Sequence, residues 1–404
     1  MLVLKKIYCR IYQTGFRIAL PILPYRNPKQ LDSLQEIVTV LKNKNYDSVL
    51  LVSDARVRSL GLVAPLEQAL AENSIRCEVY EQSTPNPTIA NVEQAREQYL
   101  SAGAKAIIAV GGGSAMDCAK AAGARIACPN KPISKMKGIL KIHRKTPLFF
   151  AVPTTAGTGS EATLAAVITD GETHYKYPIN DFPLIPDYAV LDASLTLGLP
   201  PFVTSTTGMD ALTHAVEAYI GRSTTKETRA LSVEAVTLIH ENLEKAVANG
   251  QDVTARKNML RAAFVAGASF TRSYVGYVHG VAHSLGGQYG IAHGLANAVI
   301  LPVFLREYGS TVTKKLARLA KLSGVAAENL TDAEAAEQFI AWIEGMNVTF
   351  GHPKTFPEIK ASDIPGMAKK ADKESNPLYP VPKLMNAKEL EPMYRKFMEK
   401  EEQS

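Results

Sequence analysis

The sequence predicts an α/β dinucleotide-binding domain over residues 1–200, followed by an all-α domain over residues 201–404. Three observations carry this. In the first half, short apolar runs alternate with amphipathic helical patterns, as a parallel sheet covered by helices requires. Beyond "LTLGLPP" (195–201) the apolar spacing becomes helical throughout. The chain has 404 residues, 46% of them apolar and 21% charged, an ordinary globular composition with length enough for two cores.

In order, "DSVLLVSD" (47–54) reads as a buried strand and "VAPLEQALAEN" (63–73) as an amphipathic helix. "CEVYEQ" (77–82) is a strand, "NVEQAREQYLSAG" (91–103) a helix, and "AKAIIAVGGGS" (104–114) a strand running into glycines. "AMDCAKAAGARIA" (115–127) is the next helix, and "PLFFAVPTT" (147–155) another strand. In the second half Leu231, Ala235, Leu238, Ile239 and Leu243 keep helical spacing, and "TKKLARLAKLSG" (313–324) does so up to Gly324. "TDAEAAEQFIAWIEG" (331–345) opens with Thr331 and Glu334 in capping-box spacing and is expected to close at Gly345. "NAKELEPMYRKFMEK" (386–400) is a last helix with Asn386 as its cap.

The N-terminal run "MLVLKKIYCRIYQTGFRIALPILP" faintly resembles a signal peptide. Arg10 and Arg17 interrupt its apolar part, Pro21 and Pro24 break its C-terminal end, and no small-residue cleavage site stands out. No uninterrupted apolar run reaches membrane length. The net charge of +6 is mild, and Lys and Arg read as spread along the chain. Neither nucleic acid nor a membrane is therefore expected as a partner. "KGILKIHRK" (137–145) reads as a solvated basic face. The four cysteines have no C-x-x-C or metal-ligand spacing, which fits reduced thiols in a cytoplasmic protein.

Gly111, Gly112, Gly113 and Ser114 lie between a strand and a helix, where glycines admit a ligand to the backbone and the helix N-terminus favours a phosphate. Met116 at the third glycine position breaks the usual dinucleotide fingerprint, so spacing alone leaves a tight turn equally open. A second loop, "PTTAGTGSEAT" (153–163), satisfies G-x-G-x-x-A only formally, because "LAAVITDG" after it reads as a strand. Its hydroxyls on Thr154, Thr155, Thr158 and Ser160 suit polar contacts to a cofactor; the alternative is a loop of capping hydroxyls. Asp54, at a strand end, suits either a ribose contact or a helix cap.

The strongest chemical signal lies in two stretches. In "GMDALTHAVEAY" (208–219), Asp210, His214 and Glu217 fall at i, i+4 and i+7 on one face of an otherwise apolar helix. In "GYVHGVAHSLGGQYGIAHGLANA" (276–298), three of the chain's eight histidines, His279, His283 and His293, occur in a run with no charged side chain. Polar groups in apolar surroundings need partners, and a divalent cation satisfies a carboxylate and several imidazoles together. Spacing leaves open which of the three histidines bind. His143, His174, His240 and His352 sit in polar or loop contexts and receive no metal role, and Glu217 reads as a hydrogen-bonding partner behind the ligands or an ordinary helix salt-bridge partner.

"AVGGGSAMDCAK", "PTTAGTGSE", "GMDALTHAVEAY" and "GYVHGVAHSLGGQYGIAHGLANAVILP" together resemble the iron-containing (group III) alcohol dehydrogenases, in order from about residue 47 to the end. The resemblance implies the dehydroquinate synthase-like fold of that family. It also implies an NAD-dependent hydride transfer with a small primary alcohol, aldehyde or diol, Fe2+ as metal with Zn2+ as alternative, and a homodimer or larger homo-oligomer. It assigns Asp210, His214, His279 and His293 as metal ligands and His283 as the catalytic proton relay. Asp54 matches the acid that favours NAD. Asn86, Gly112, Gly113, Ser114, Asp117, Thr154, Thr155, Thr158, Thr163 and Lys176 match cofactor contacts, and Phe270 matches a pocket wall. Ala193 stands where many members have proline, and Arg272 replaces a small or amide residue. If Arg272 points into the cleft, a substrate with an anionic or strongly polar group is implied. The rival readings are a zinc polyol dehydrogenase of glycerol-dehydrogenase type, a dehydroquinate-synthase-like cyclase and a non-catalytic NAD-binding scaffold.

Overall fold

The computed structural model describes residues 3–172 and 176–399. His174 lies outside them. The chain opens with helix α1, Val3–Ala19. A sheet unit of residues 24–199 and 251–267 and a helical unit of residues 3–23, 200–250 and 268–399 then form two compact parts. The change at Pro200 follows the expected switch of period. A simple cut there fails twice: α1 groups with the helical unit, and residues 251–267 group with the sheet unit. Neither short segment carries a strand–helix alternation from which its allegiance could be read.

In the sheet unit the strands are β1 Lys29–Leu31, β2 Ser48–Val52, β3 Arg76–Tyr80, β4 Ala106–Gly111, β5 Gly138–Ile139, β6 Leu148–Pro153, β7 Ala165–Thr169, β8 Lys176–Asn180 and β9 Tyr188–Val190. The helices between them are α2 Leu34–Asn43, α3 Ala55–Ser59, α4 Ala64–Glu72, α5 Ile89–Ser101 and α6 Gly113–Ala127. Six strands form one sheet in the order β1-β9-β6-β4-β2-β3, every pairing parallel. β2 explains the architecture. All five residues are buried, and its alternate side chains enter opposite cores. Leu50 and Val52 pack with Met116 and Ala119 of α6, whereas Val49 and Leu51 pack with Ile37 and Leu41 of α2 and Leu66 of α4. Burial on both faces is what makes a parallel strand read as continuously apolar. A small second sheet, β5-β8-β7, includes the antiparallel pair β7–β8. That confirms "LAAVITDG" as strand rather than helix.

Helices α7 Pro201–Ile220, α8 Lys226–Ala248, α9 Val253–Ser273, α10 Tyr277–Tyr289, α11 His293–Tyr308, α12 Thr313–Leu322, α13 Asp332–Thr349, α14 Ile364–Ser375 and α15 Ala387–Arg395 complete the chain. Part of α9, through Gly267, counts with the sheet unit. α7 is buried almost all round from Thr204 onward. Its hydroxyls need partners there and donate to the preceding turn: Thr206 Oγ1 to Phe202 O at 2.8 Å and Thr213 Oγ1 to Met209 O at 2.8 Å. The capping box expected at Thr331 is present, and Asn386 caps its helix as expected, there too with a full capping box. α13 runs on past Gly345 to Thr349, correcting the expected stop. Phe339, Ile343 and Met346 keep its apolar face buried through that glycine, and this packing outweighs glycine's weak helix propensity. Among the described residues no helix is long and apolar enough to cross a membrane.

Candidate metal and catalytic site

The helical unit gathers the polar residues of the two stretches. Gly290, with φ of 71°, ends α10 in the left-handed conformation, and α11 then starts at His293. This turn brings His293 back beside His279, their rings 5.4 Å apart. Asp210 Oδ1 lies 3.5 Å from His293 Nε2, 3.8 Å from His279 Nε2 and 3.9 Å from His214 Nδ1. Ligand atoms of all four residues lie within 4.8 Å of one another. Around a tetrahedral ion with bonds of about 2.1 Å, ligands stand roughly 3.4 Å apart, so small side-chain adjustments suffice to close the shell.

The chemistry of the donor set fits a cation. Asp210 Oδ1, His293 Nε2 and His279 Nε2 all point at the amide nitrogen of Asn297, at 2.7, 3.1 and 3.2 Å. One amide has two protons for these three acceptors. Burial first, and then the neighbouring imidazoles, hold His279 well below the usual histidine range, so it is neutral as a ligand must be. Its Nδ1 donates to Glu217 Oε2 at 2.6 Å, which directs Nε2 toward Asp210. Glu217 Oε1 accepts the Val278 backbone N–H at 2.9 Å, and burial pushes this carboxyl up to about 7.

Two glycines make the close approach possible. A Cβ on Gly294 would meet Thr206 O at 2.4 Å, so any side chain there pushes α11 off α7 and parts His293 from Asp210. A Cβ on Gly276 would meet Glu217 Oε1 at 2.5 Å.

His283 sits differently from the other three histidines. Its ring stacks against His293 with centroids 5.1 Å apart, and its Nδ1 is 2.6 Å from Glu374 Oε1. Tyr379 donates to the same oxygen at 2.8 Å. Burial works against ionised Glu374, but the His283 charge and these two bonds prevail and hold the carboxyl below its usual range. From α1, Gln13 Nε2 donates to Tyr379 O at 2.7 Å and steadies this segment. In its neutral form, with the proton on Nδ1 facing Glu374, His283 presents Nε2 as an acceptor.

Phe270 stacks on His214 with centroids 4.2 Å apart. Arg272 directs Nη1 to Ala268 O at 3.2 Å and to Glu227 at 3.4 Å, so a carboxylate of this chain already answers its charge. That removes the reason for an anionic substrate. His352 is engaged by Ser205 at 3.0 Å and Asn347 at 2.9 Å, and His240 packs edge-on against Trp342. His143 is exposed. Sequence reasoning missed Asn297 and Glu374. Asn297 could have been found, four residues from His293 on the same helix face. Glu374 lies 91 residues from His283, beyond any local spacing.

In the sheet unit, the glycine loop and the threonine loop follow the neighbouring strands β4 and β6. Gly111 has φ of 158° and α6 begins at Gly113. A Cβ on Gly113 would stand 3.1 Å from Thr158, and one on Gly112 3.8 Å from Thr155 Oγ1, so the two loops adjoin. Ser114 is half-buried in the first turn of α6. Thr154 is buried and its N–H donates to Gly111 O. Asp54 caps a helix, the simpler of the two roles the sequence offers it. Oδ1 caps α3 by accepting the Val57 N–H at 2.9 Å, while Oδ2 faces Gly111, 3.5 Å from where its Cβ would stand. Asn86, with φ of 59°, accepts from Lys176 Nζ at 2.7 Å on the exposed surface. Asp117 and Thr163 face inward. Asp117 accepts from Ser160 Oγ and the Val167 N–H, both at 3.1 Å. Thr163 Oγ1 accepts from buried Lys120 at 3.1 Å. These two side chains brace the threonine loop from beneath.

Residues 28–193 match the family described as iron-containing alcohol dehydrogenase, and residues 204–398 match the C-terminal part of the Fe-containing alcohol dehydrogenase family. The NAD-dependent methanol dehydrogenase of Bacillus methanolicus is 35% identical over 84% of this chain and 89% of its own length. The 1,3-propanediol dehydrogenase of Citrobacter freundii is 36% identical over 94% of this chain and 98% of its own. A solved 1,3-propanediol oxidoreductase superposes with a TM-score of 0.88 at 34% identity, covering 93% of this chain and 99% of that one. An alcohol dehydrogenase from Oenococcus oeni does so with 0.87 at 32% identity, covering 92% and 100%. The chain thus belongs to the iron-containing alcohol dehydrogenase family, metal-dependent oxidoreductases that use NAD(H).

Proposed function

We propose that this chain is a cytoplasmic NAD-dependent alcohol dehydrogenase that interconverts small primary alcohols or diols with their aldehydes, as a homodimer or larger homo-oligomer. In this reading Asp210, His214, His279 and His293 hold Fe2+, and His283 is the catalytic base. The convergence of those four side chains, with His283 stacked on one of them, carries the reading. Zn2+ fits the same donor set and is the alternative metal. When bound, the metal supplies Lewis acidity toward the substrate oxygen and the nicotinamide supplies the hydride acceptor.

The chain's own residues do the rest. Glu217 fixes the tautomer of His279, and Glu374 fixes that of His283. His283 Nε2 takes the hydroxyl proton as alcohol becomes aldehyde and returns it in the reverse direction. Phe270 gives the site an apolar wall, which suits a small aliphatic substrate. Gly112, Gly113, Ser114, Thr154, Thr155, Thr158, Asn86 and Lys176 would contact the dinucleotide, with Asp117 and Thr163 acting from beneath. Asp54 would accept from the adenosine ribose and repel a 2′-phosphate.

The test is NADH oxidation with a panel of short aldehydes and hydroxyaldehydes, run anaerobically with and without Fe2+. Turnover is expected only with metal, and NADPH is expected to be at least about tenfold poorer because of Asp54. Metal-independent turnover, or none with any aldehyde, would overturn the reading.

A further inference from the structure

The mild net charge hides an uneven distribution. The chain has 45 Lys and Arg against 39 Asp and Glu. Lys5, Lys6, Arg10, Arg17, Arg26 and Lys29 precede the first acid, Asp32. Subtracting these six leaves 39 basic and 39 acidic residues, so the entire excess of +6 lies in the first 31 residues. The reading of an evenly spread charge is corrected here.

Four of these cations lie on α1, which carries no acid. One face of α1 is built into the helical unit. Cys9 and Gln13 are buried, and Arg10 donates to the carbonyl oxygens of Val381 and Pro382 at 2.8 and 2.9 Å. The opposite face is apolar and uncovered. Leu4 is 80% exposed, Tyr8 57%, Ile11 67% and Ile18 73%, with Ile22 following at 85%. At 100° per residue Leu4, Tyr8, Ile11 and Ile18 fall along one line of the helix, an angular spread of under a quarter turn. An open groove of about 750 Å³ runs beside Ile7, Ile11 and Ile18 to Leu384.

The charges flank this stripe. Lys5 and Lys6 meet Asp372 and Glu389 but stay 47% and 44% exposed, and Arg17 is exposed. Lys315 nearby donates to the carbonyl oxygens of Ile220 and Gly221. Burial first, then the positive charges of Arg222, Arg229 and Arg17, lower its ammonium to about 8.

We infer that α1 is a peripheral docking helix for an anionic lipid bilayer surface. A helix of this kind lies in the interface plane, its apolar line among the acyl chains and its Lys and Arg at headgroup level. Each such cation strengthens the attraction to an anionic leaflet. A second copy of the chain fits less well, because a two-fold pairing of acid-free helices sets cation against cation. Nucleic acid would leave the row of aliphatic side chains without a partner.

The test floats the metal-loaded enzyme with vesicles of phosphatidylcholine, alone or with phosphatidylglycerol. The bound fraction is expected to rise about tenfold with the anionic lipid and to fall at high salt. The double variant Ile11→Glu, Ile18→Glu should lose about tenfold of that binding, with its melting temperature and its turnover of soluble substrate unchanged. Equal binding to phosphatidylcholine alone, or no binding, would overturn the inference. So would a wild-type dimer that the double variant turns into a monomer in solution, since the stripe would then belong to a second copy.

Discussion

An Asp210→Asn enzyme is expected to leave purification without its metal and to lose turnover by more than about a thousandfold, the rate equivalent of roughly 4 kcal/mol of charge stabilisation. The substitution is isosteric and can keep the bond to the Asn297 amide, so the fold has no reason to change. What changes is charge. Asp210 is the one carboxylate among the four converging residues and the one whose oxygen lies within 3.9 Å of all three imidazoles. Three neutral imidazoles and an amide bind a divalent ion far more weakly than three imidazoles and an anion. Metal analysis after anaerobic loading, together with thermal unfolding of the metal-free protein, separates loss of the ion from loss of the fold. An Asp210→Asn protein holding a full equivalent of metal would show that the ion is bound elsewhere.

His283→Ala is expected to behave in the opposite way toward the metal. Its content should stay near that of the wild type while kcat falls by about a hundredfold to ten-thousandfold, the range for removing a positioned base. The reason lies in the partners. His279 is tied to Glu217 and turned toward Asp210, whereas His283 is tied to Glu374 and Tyr379, on a segment that holds none of the four converging side chains. Glu374→Gln keeps an acceptor for Nδ1 but loses its charge, so an intermediate loss of about tenfold is expected, in kcat rather than KM. Should His283→Ala lose its metal, the division between ligands and base fails. Should Glu374→Ala leave kcat untouched, the carboxylate plays no part in placing the imidazole.

The site was legible because its members recur at helical spacing in apolar surroundings. Asp210, His214 and Glu217 declare one face of α7, and His279 and His283 one face of α10. Which histidine does what was not legible from spacing. His279 and His283 stand in the same local pattern, and the carboxylates that orient them, Glu217 and Glu374, reach them across 62 and 91 residues. The sheet was legible from β2, β4 and β6, whose burial on both faces leaves long apolar runs. α1 was not, because its apolar residues are mostly exposed, and what ties it to the helical unit is the burial of Cys9 and the bonds of Lys5, Arg10 and Gln13 to residues more than 360 positions away. Asp117 and Thr163 show a further limit. Residues in a cofactor motif can serve the loop from below, and a motif does not say which way a side chain faces.

The most direct measurement is anomalous diffraction at the iron edge from crystals of the enzyme loaded anaerobically with Fe2+. A single strong peak is expected within about 2.0–2.3 Å of one atom each from Asp210, His214, His279 and His293. A peak bound through His283 and Glu374 instead, or no peak in crystals of active enzyme, would contradict the assignment of these four side chains.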